Sequence, residues 1–303
     1  MRKNIKKVCE AKSILRAVFG VMLLVIFALV VRFYNGENGS AAGNKTTDGG
    51  MAVARAPSIS AQGAVLVEGE TGDILFQYQA EKRLFPASTT KIMTALVALD
   101  ICEEQNVDLK GFVLIPEAAV GQEGSSLYLK EGEKMSVEDL LYGMMLHSGN
   151  DSAETLAWTM TGNREVFIER MNQMAEDLGC KDTHFTNPSG LPDQEHYTTA
   201  YDLAIISRKA LENPTFQSIV KSKQWKTEDE TRTFENKNKT VFQYDGGDGV
   251  KIGYTKASGR TLVASATREE KQLIAVVLND GNWFQDAYSM LDYGFSLLGV
   301  NVK

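Results

Sequence analysis

Phe85-Pro86-Ala87-Ser88-Thr89-Thr90-Lys91-Ile92-Met93-Thr94-Ala95-Leu96-Val97-Ala98-Leu99 reads as a short lead-in followed by a helix that is apolar nearly all round. A helix without a polar face is a buried one, so this stretch is expected at the centre of the fold. Pro86 suits a first turn, where a missing N–H costs nothing. Ser88 is then expected at the helix N-terminus, with Lys91 three residues on and on the same face. A hydroxyl there beside an amine has the makings of an activated nucleophile, because N-terminal backbone N–H groups favour developing negative charge. Lys91 can serve as the base only when neutral, which requires burial or a second positive charge to lower it from an ordinary value of about 10.4. Ile92 and Ala95 supply apolar surroundings. Ser-x-x-Lys alone is expected roughly once by chance in a chain of this size, so the remainder of the sequence has to carry the argument.

Upstream of this stretch the chain divides by composition. Residues 1–16 carry six basic side chains (Arg2, Lys3, Lys6, Lys7, Lys12, Arg16) against Glu10 alone, and form a basic cytoplasmic segment. Ala17 to Val31 is an uninterrupted apolar run bounded by Arg16 and Arg32. It is long for a signal-peptide core and short of the ~20 residues of a comfortable spanning helix. Residues 17–34 are expected to be an uncleaved membrane anchor, the alternative being a cleaved export signal. The basic flank places residues beyond 32 outside the cytoplasm. Residues 35–56, rich in Gly, Asn, Ser and Ala, read as a flexible linker, and the folded domain spans 57–303. The chain as a whole has a net charge of −7, and without its basic start it is more acidic still. Such a body has no electrostatic case for binding nucleic acid.

Within the folded domain, Ala64 to Val67 and Ile74 to Tyr78 around Glu70-Thr71-Gly72 read as a β-hairpin. Residues 111–135 read as loop with short strands. Ser136-Val137-Glu138-Asp139 starts a helix carrying Leu140, Leu141, Met144 and Met145 at helical spacing. It should stop at His147-Ser148-Gly149, with a new helix from Asn150 or Asp151, so Ser148 and Asn150 sit on a tight interhelical turn. Further helices are expected over Asn163–Leu178 and from the Thr199 cap through Ala210. Asn187 to Pro192 is loop, and Lys221 to Tyr244 is a polar, solvated stretch. Strands return at Gly249–Thr255, Thr261–Thr267 and Leu273–Leu278, before a last helix from Asp286 to Leu298. The class is α+β: an antiparallel β-sheet flanked by helices, with an all-helical insertion, preceded by one N-terminal apolar helix.

Cys102 and Cys180 could pair in an oxidising exterior, but two buried thiols are expected. His147, His184 and His196 lack metal-ligand spacing, there is no Gly-x-Ser-x-Gly elbow, and no phosphate loop is present. Neither a metal nor a cofactor is expected.

Three polar elements therefore stand in chain order: Ser88-x-x-Lys91, Ser148-Gly149-Asn150 and Lys251-Ile252-Gly253. Together they resemble the penicillin-recognising serine acyl-transferases, whose set is Ser-x-x-Lys, Ser-x-Asn and Lys-Thr-Gly. Within that group the chain is most similar to the low-molecular-mass D-alanyl-D-alanine carboxypeptidases, through Pro86 to Thr94, Ser148 to Asp151, Asn187 to Leu191, Thr199 to Leu203 and Asp248 to Lys251. The resemblance spans about residues 58 to 298. It implies a β-lactamase/transpeptidase-like fold and a serine-type carboxypeptidase that removes the terminal D-alanine from peptidoglycan pentapeptides ending in D-Ala-D-Ala, with β-lactams as covalent inhibitors.

The resemblance also implies roles. Ser88 is the nucleophile, Lys91 its base, and Ser148 the relay to the leaving group. Asn150 holds the peptide amide, and Lys251, on the same strand as Gly253, binds the terminal carboxylate and helps keep Lys91 neutral. The N–H groups of Ser88 and Tyr254 form the oxyanion hole. Ile252 departs from the family's threonine. A lost hydrogen bond to a charged group is worth about 1.5–3 kcal/mol, which implies a slow enzyme. Two rival readings are a class A-like β-lactamase, disfavoured by Gly149 in the second motif, and a non-catalytic β-lactam or peptidoglycan sensor, disfavoured by the intact Ser88, Lys91, Ser148 and Asn150.

Overall fold

The computed structural model describes residues 55–300. The basic segment 1–16, the apolar run and anchor of 17–34 and nearly all of the 35–56 linker lie outside the described residues.

Five antiparallel strands make the central sheet: β1 (Gly63–Glu68), β2 (Ile74–Tyr78), β7 (Gly247–Thr255), β8 (Gly259–Arg268) and β9 (Lys271–Leu278), in the order β2-β1-β9-β8-β7. Side-chain alternation sorts its residues between two layers. Ala64, Leu66, Leu262, Ala264, Leu273, Ala275 and Val277 face the C-terminal helix α8 (Trp283–Leu297). Val65, Val67, Val263, Ile274, Val276 and Leu278 face the helical region. With both faces covered, β1 is buried at all six positions, which explains why Gly63-Ala64-Val65-Leu66-Val67 reads as a continuous apolar run instead of an alternating one.

At the centre of the helical region is α1 (Lys91–Gln105), entered through a 3-10 turn over Ala87–Thr90 and closed by Asn106 in the left-handed conformation. Every residue from Lys91 to Leu99 is buried, Ile92, Met93, Ala95 and Ala98 completely. Burying a side chain of the Ile or Met kind contributes roughly 1.5–3 kcal/mol over leaving it exposed, so α1 holds its place by packing. Around it lie α2 (Val137–Tyr142), α3 (Asn150–Thr161), α4 (Arg164–Asp177), α5 (Ala200–Leu211) and α6 (Pro214–Lys221). Ser136, Asn163 and Thr199 cap α2, α4 and α5 through their side chains, each where the sequence places a cap.

Three features depart from the sequence reading. Residues 221–244 are not simply a solvated stretch: β5 (Gln224–Lys226) pairs with β6 (Thr233–Glu235), and α7 (Thr240–Gln243) follows. Trp225 stacks on Tyr142 at 3.7 Å and its Nε1 donates to Asp139 at 2.7 Å, while Phe234 is buried. The turn between the two strands is exposed over Glu228–Thr231, and on either side of it exposed residues alternate with buried ones. Pro214–Lys221 forms a helix capped by Asn213, and α8 begins three residues earlier than Asp286. The short pair β3 (Phe112–Leu114) and β4 (Lys134–Ser136) is the loop with strands that the sequence indicates for 111–135.

Candidate active site

The Ser88 turn is locked from two sides. Pro86 O accepts the hydroxyls of Thr89 at 2.7 Å and of Thr261 on β8 at 3.0 Å. Thr261 lies opposite Gly253 in the β7–β8 register, so the sheet edge and the nucleophile's turn are joined directly. A Cβ at Gly253 would lie 2.7 Å from Ser88 N and 3.0 Å from Ala87 Cβ. Glycine is therefore required here by the close approach of Ser88 to the strand.

Lys91 is fully buried. Its Nζ lies 3.1 Å from Ser88 Oγ, 2.7 Å from Asn150 Oδ1 and 2.6 Å from Ser189 O. An amide oxygen and a backbone carbonyl can only accept. A neutral amine has two N–H groups to give them, which leaves its lone pair aimed at the Ser88 hydroxyl. Burial, and after it the positive charge of Lys251, hold Lys91 well below the ordinary lysine value; Asp151 and Glu154 oppose this without cancelling it. Both devices expected from the sequence are thus present.

The second motif sits where α2 runs into a wider π turn over Gly143–His147. Ser148 follows in the left-handed conformation, φ 72°, nearly buried, and Gly149 leads into α3. Asn150 has both ends of its amide engaged: Oδ1 accepts from Lys91, and Nδ2 donates to Glu123 O at 2.5 Å. Its first task in this structure is thus to orient Lys91, and holding a substrate amide requires it to give up one of these partners.

On β7, Lys251 is opposite Val263, which faces the helical layer, and is itself fully buried. Burial, with Lys237 as a second cause, brings its amine down to about 7. Ile252 is opposite Leu262 and packs against the α8-side cluster. Neither Lys251 nor Ile252 is among the residues lining the cleft, which has a volume of 420 Å³ and is bounded by Ser88, Asn150, Gly190, Tyr254 and Thr255 among others; Lys251 lies beneath it on the helical side and Ile252 on the other face of the strand. The expected deficit at position 252 therefore loses its geometric basis, because strand alternation turns that side chain to the face opposite Lys251. Tyr254 is exposed at the rim, and Thr255 lies beside it.

Several residues of the site were not found from the sequence. The sequence marks Asn187 to Pro192 as a loop and ties it to the site only through the family resemblance, yet Ser189 gives Lys91 a carbonyl. Asn187 Oδ1 holds the loop by accepting from the N–H groups of Ser189, Gly190 and Leu191 at 3.2, 2.7 and 3.1 Å. Gly190, at φ +87°, touches the Ala87 carbonyl so closely that a Cβ would lie 1.8 Å from the oxygen. His196 is buried, and burial pushes it down to about 3. Its Nδ1 accepts from Thr186 N at 3.1 Å, so Nε2–H donates to Thr90 Oγ1 at 2.8 Å, tying the loop to the nucleophile's turn. Asp151 gathers the Ser126 hydroxyl and the N–H groups of Leu127, Leu129 and Ser152, fixing the loop that holds Asn150. Lys237, whose Nζ donates to His147 O at 2.8 Å, brings a third cation near Lys251. A structure-forming carboxylate or histidine has no sequence signature that separates it from a surface one.

Other candidate centres carry no chemistry. No group of His, Cys, Asp or Glu among the described residues could hold a metal ion. Cys102 and Cys180 are free and buried, and burial raises both thiols, as expected of inert ones. His147 is half-buried and pushed down by burial and Lys237.

The sequence profile described as D-alanyl-D-alanine carboxypeptidase matches residues 51–282. The chain is 36% identical over 245 residues to D-alanyl-D-alanine carboxypeptidase DacF of Bacillus subtilis, covering 78% of this chain and 62% of that protein. It is 34% identical to the D-alanyl-D-alanine carboxypeptidase of Streptomyces sp. strain K15, covering 80% of this chain and 89% of that one. The solved structure of the C98A mutant of Streptomyces K15 DD-transpeptidase superposes with a TM-score of 0.74 at 34% identity, over 80% of this chain and all of that one. The crystal structure of DacD from Francisella tularensis gives 0.75 at 29% identity, over 86% of this chain and 75% of that one. With its three motifs gathered around one buried lysine, the chain belongs to the D-alanyl-D-alanine carboxypeptidase family, serine peptidases that act on peptidoglycan and bind penicillin.

Proposed function

We propose that Ser88 carries the family's reaction in this chain through an acyl-enzyme. Ser88 Oγ attacks the carbonyl carbon between the two D-alanines as its proton passes to Lys91 Nζ. The oxyanion is met by the N–H groups of Ser88 and Tyr254, an arrangement worth several kcal/mol in acyl transfer. The C–N bond then breaks, and the proton travels from Lys91 through Ser148 to the departing amine. Water later adds to the ester, and the tetrahedral intermediate releases Ser88. Lys251, when protonated, pairs with the substrate's terminal carboxylate. With a β-lactam the same attack opens the ring, and the amine stays tethered.

The observation that carries this reading is the set of three contacts at Lys91 Nζ, two of them to groups that can only accept. The loop facing Ser88, which follows the second motif, lines the cleft with Ser189, Gly190, Leu191 and Pro192 and brings no carboxylate to it; Glu123, the one carboxylate of the lining, precedes that motif, and its backbone carbonyl accepts from Asn150. That composition favours a carboxypeptidase over an enzyme that deacylates β-lactams through a loop glutamate.

The test is mass spectrometry after brief exposure to penicillin, with peptide mapping. An adduct is expected on Ser88 and is lost in Ser88→Ala; mapping to Ser125, Ser148 or Ser189 would overturn the assignment. Lys91→Arg keeps the charge but cannot be deprotonated. Its acylation rate should fall below about a tenth of wild type, given the 10²–10⁴-fold typical of general-base catalysis.

The apolar run at 17–31 is read as holding the protein in the membrane with the catalytic domain outside the cytoplasm. No helix among the described residues is long and apolar enough to span a bilayer, so attachment would come from that run. The basic start at 1–16 supports this orientation.

A further inference from the structure

His196 is 1% exposed and has polar partners at both nitrogens of its ring. A backbone N–H only donates, so Nδ1, which faces Thr186 N at 3.1 Å and the amide Nδ2 of Asn187 at 3.3 Å, is the acceptor. The ring proton is therefore on Nε2 and goes to Thr90 Oγ1 at 2.8 Å.

Followed outward, these bonds close a ring. From Lys91 Nζ the contacts run to Ser189 O at 2.6 Å, from Ser189 N to Asn187 Oδ1 at 3.2 Å, and from Asn187 Nδ2 to His196 Nδ1. His196 Nε2 then reaches Thr90, whose peptide bond leads back to Lys91. Thr90, Lys91, Asn187, Ser189 and His196 are all buried, and a buried polar network is rigid when its members are satisfied.

The far side of the ring is anchored without help from Ser88. His184 and Tyr197 exchange backbone bonds at 2.9 and 3.0 Å, and Leu84 and Thr198 at 2.8 and 3.0 Å. The backbone of Phe185 makes two bonds of 2.8 Å to the Asn172 side chain on α4, and its ring stands edge-on to His196 with 5.6 Å between centroids. His196 is not among the residues lining the cleft, so any effect on the reaction passes through the residues it holds.

We propose that His196 is a positioning residue for the general base. By joining the 186–191 loop to Thr90 it fixes the Ser189 carbonyl, which takes one N–H of Lys91 and so keeps the lysine lone pair on Ser88. This role rests on the catalytic reading of Ser88 and Lys91 and deepens it. A misplacement near 1 Å costs about 100-fold in rate. Thr94 Oγ1 also donates to Pro188 O at 2.6 Å, so the loop keeps a contact with α1 when the ring is opened, and the expected loss is at least about tenfold.

The experiment follows penicillin acylation of Ser88 over a range of penicillin concentrations, which gives a saturating rate and a half-saturating concentration. Thr90→Val removes the hydroxyl at nearly constant shape, and His196→Phe keeps a ring but removes both nitrogens. Each should lower the saturating rate at least about tenfold and leave the half-saturating concentration within about threefold. Thr90→Ser, which keeps the hydroxyl, should stay within about threefold of wild type in both. The two lesions open the same ring, so the double variant should be at most about threefold slower than the slower single one. Lys251, Asp151, Glu154 and Lys237, whose charges bear on Lys91, are retained in every variant, as are Asp193 and His184 beside His196. A fall of less than tenfold in either single variant overturns the role. So does an equal fall in Thr90→Ser, a loss confined to the half-saturating concentration, or losses that multiply in the double variant. Should His196→Phe fail to fold, Thr90→Val against Thr90→Ser decides alone. No acylation of Ser88 in wild type overturns the catalytic reading and this role with it, whereas normal acylation that the variants leave unchanged overturns the role alone.

Discussion

In the proposed mechanism, two buried lysines with opposite requirements set the pH behaviour. Lys91 must be neutral to act, and burial with the Lys251 charge lowers its value, so activity rises as pH climbs through that lowered value. Lys251 must be charged to pair with a carboxylate, and its amine has come down to about 7. Its charged form is therefore lost above about 7, and kcat/KM, which reports the free enzyme, should fall there. Lys251→Arg keeps its charge at all these values and should remove the alkaline limb up to at least about pH 9; a limb that persists belongs to another group. Ile252 is the position where structure reverses the sequence argument. A threonine hydroxyl there would sit on the α8 side of β7, so Ile252→Thr should leave D-alanine release and penicillin acylation within about threefold of wild type, far short of the 10- to 150-fold that a hydrogen bond to a charged group would supply. A rise of tenfold or more in both rates would show that the hydroxyl does reach the carboxylate.

The elements that build the site differ in how readily they are read. The helix that starts at Lys91 is evident because its apolar residues recur without a polar face, and its lead-in, which carries Pro86 and Ser88, forms a 3-10 turn where the sequence suggests the helix's own first turn. The three strands β7 to β9 are evident from Val, Ile and Thr runs punctuated by Gly and by Glu269-Glu270, both of which take positive φ in the turn. The β5–β6 hairpin is not, since Trp225 and Phe234 are isolated apolar residues in a polar stretch, and what they pack on, Tyr142 and Asp139 for Trp225 and Gly143 and His147 for Phe234, lies far away in sequence. The same holds for His196, Asn187 and Asp151: each works through bonds to distant backbone, which no local pattern records. Gly253 belongs to both levels, visible as a motif glycine but explained only by the packing of β7 on the Ser88 turn. A methyl group there would press on Ser88 N from 2.7 Å and on Thr261 Oγ1 from 2.5 Å. Gly253→Ala should displace the nucleophile and slow penicillin acylation about 100-fold, the scale of a misplacement near 1 Å. Overpacking of this kind costs about 1–3 kcal/mol, so the variant should remain folded with a lowered Tm. Acylation within threefold of wild type would show that Ser88 does not depend on this contact.

At the scale of the whole molecule, both apolar clusters of the described residues lie within residues 61–300. The chain is acidic overall, with a pI near 5.2, although six basic residues fall within its first sixteen. An acidic body is repelled by an anionic lipid surface, so charge attraction does not by itself account for attachment, and the proposed anchor is the apolar run. That separates two outcomes. If the run is an uncleaved anchor, the full-length protein should sediment with membranes, resist washing with concentrated salt, and be released by detergent. Screening by salt weakens surface charge attraction but leaves apolar insertion intact. A chain beginning at Arg55 should be soluble and acylated by penicillin on Ser88 at the rate of the full-length protein. Recovery of the natural protein in soluble form, with its N-terminus at or after residue 40, would show instead that the run is a signal removed on export.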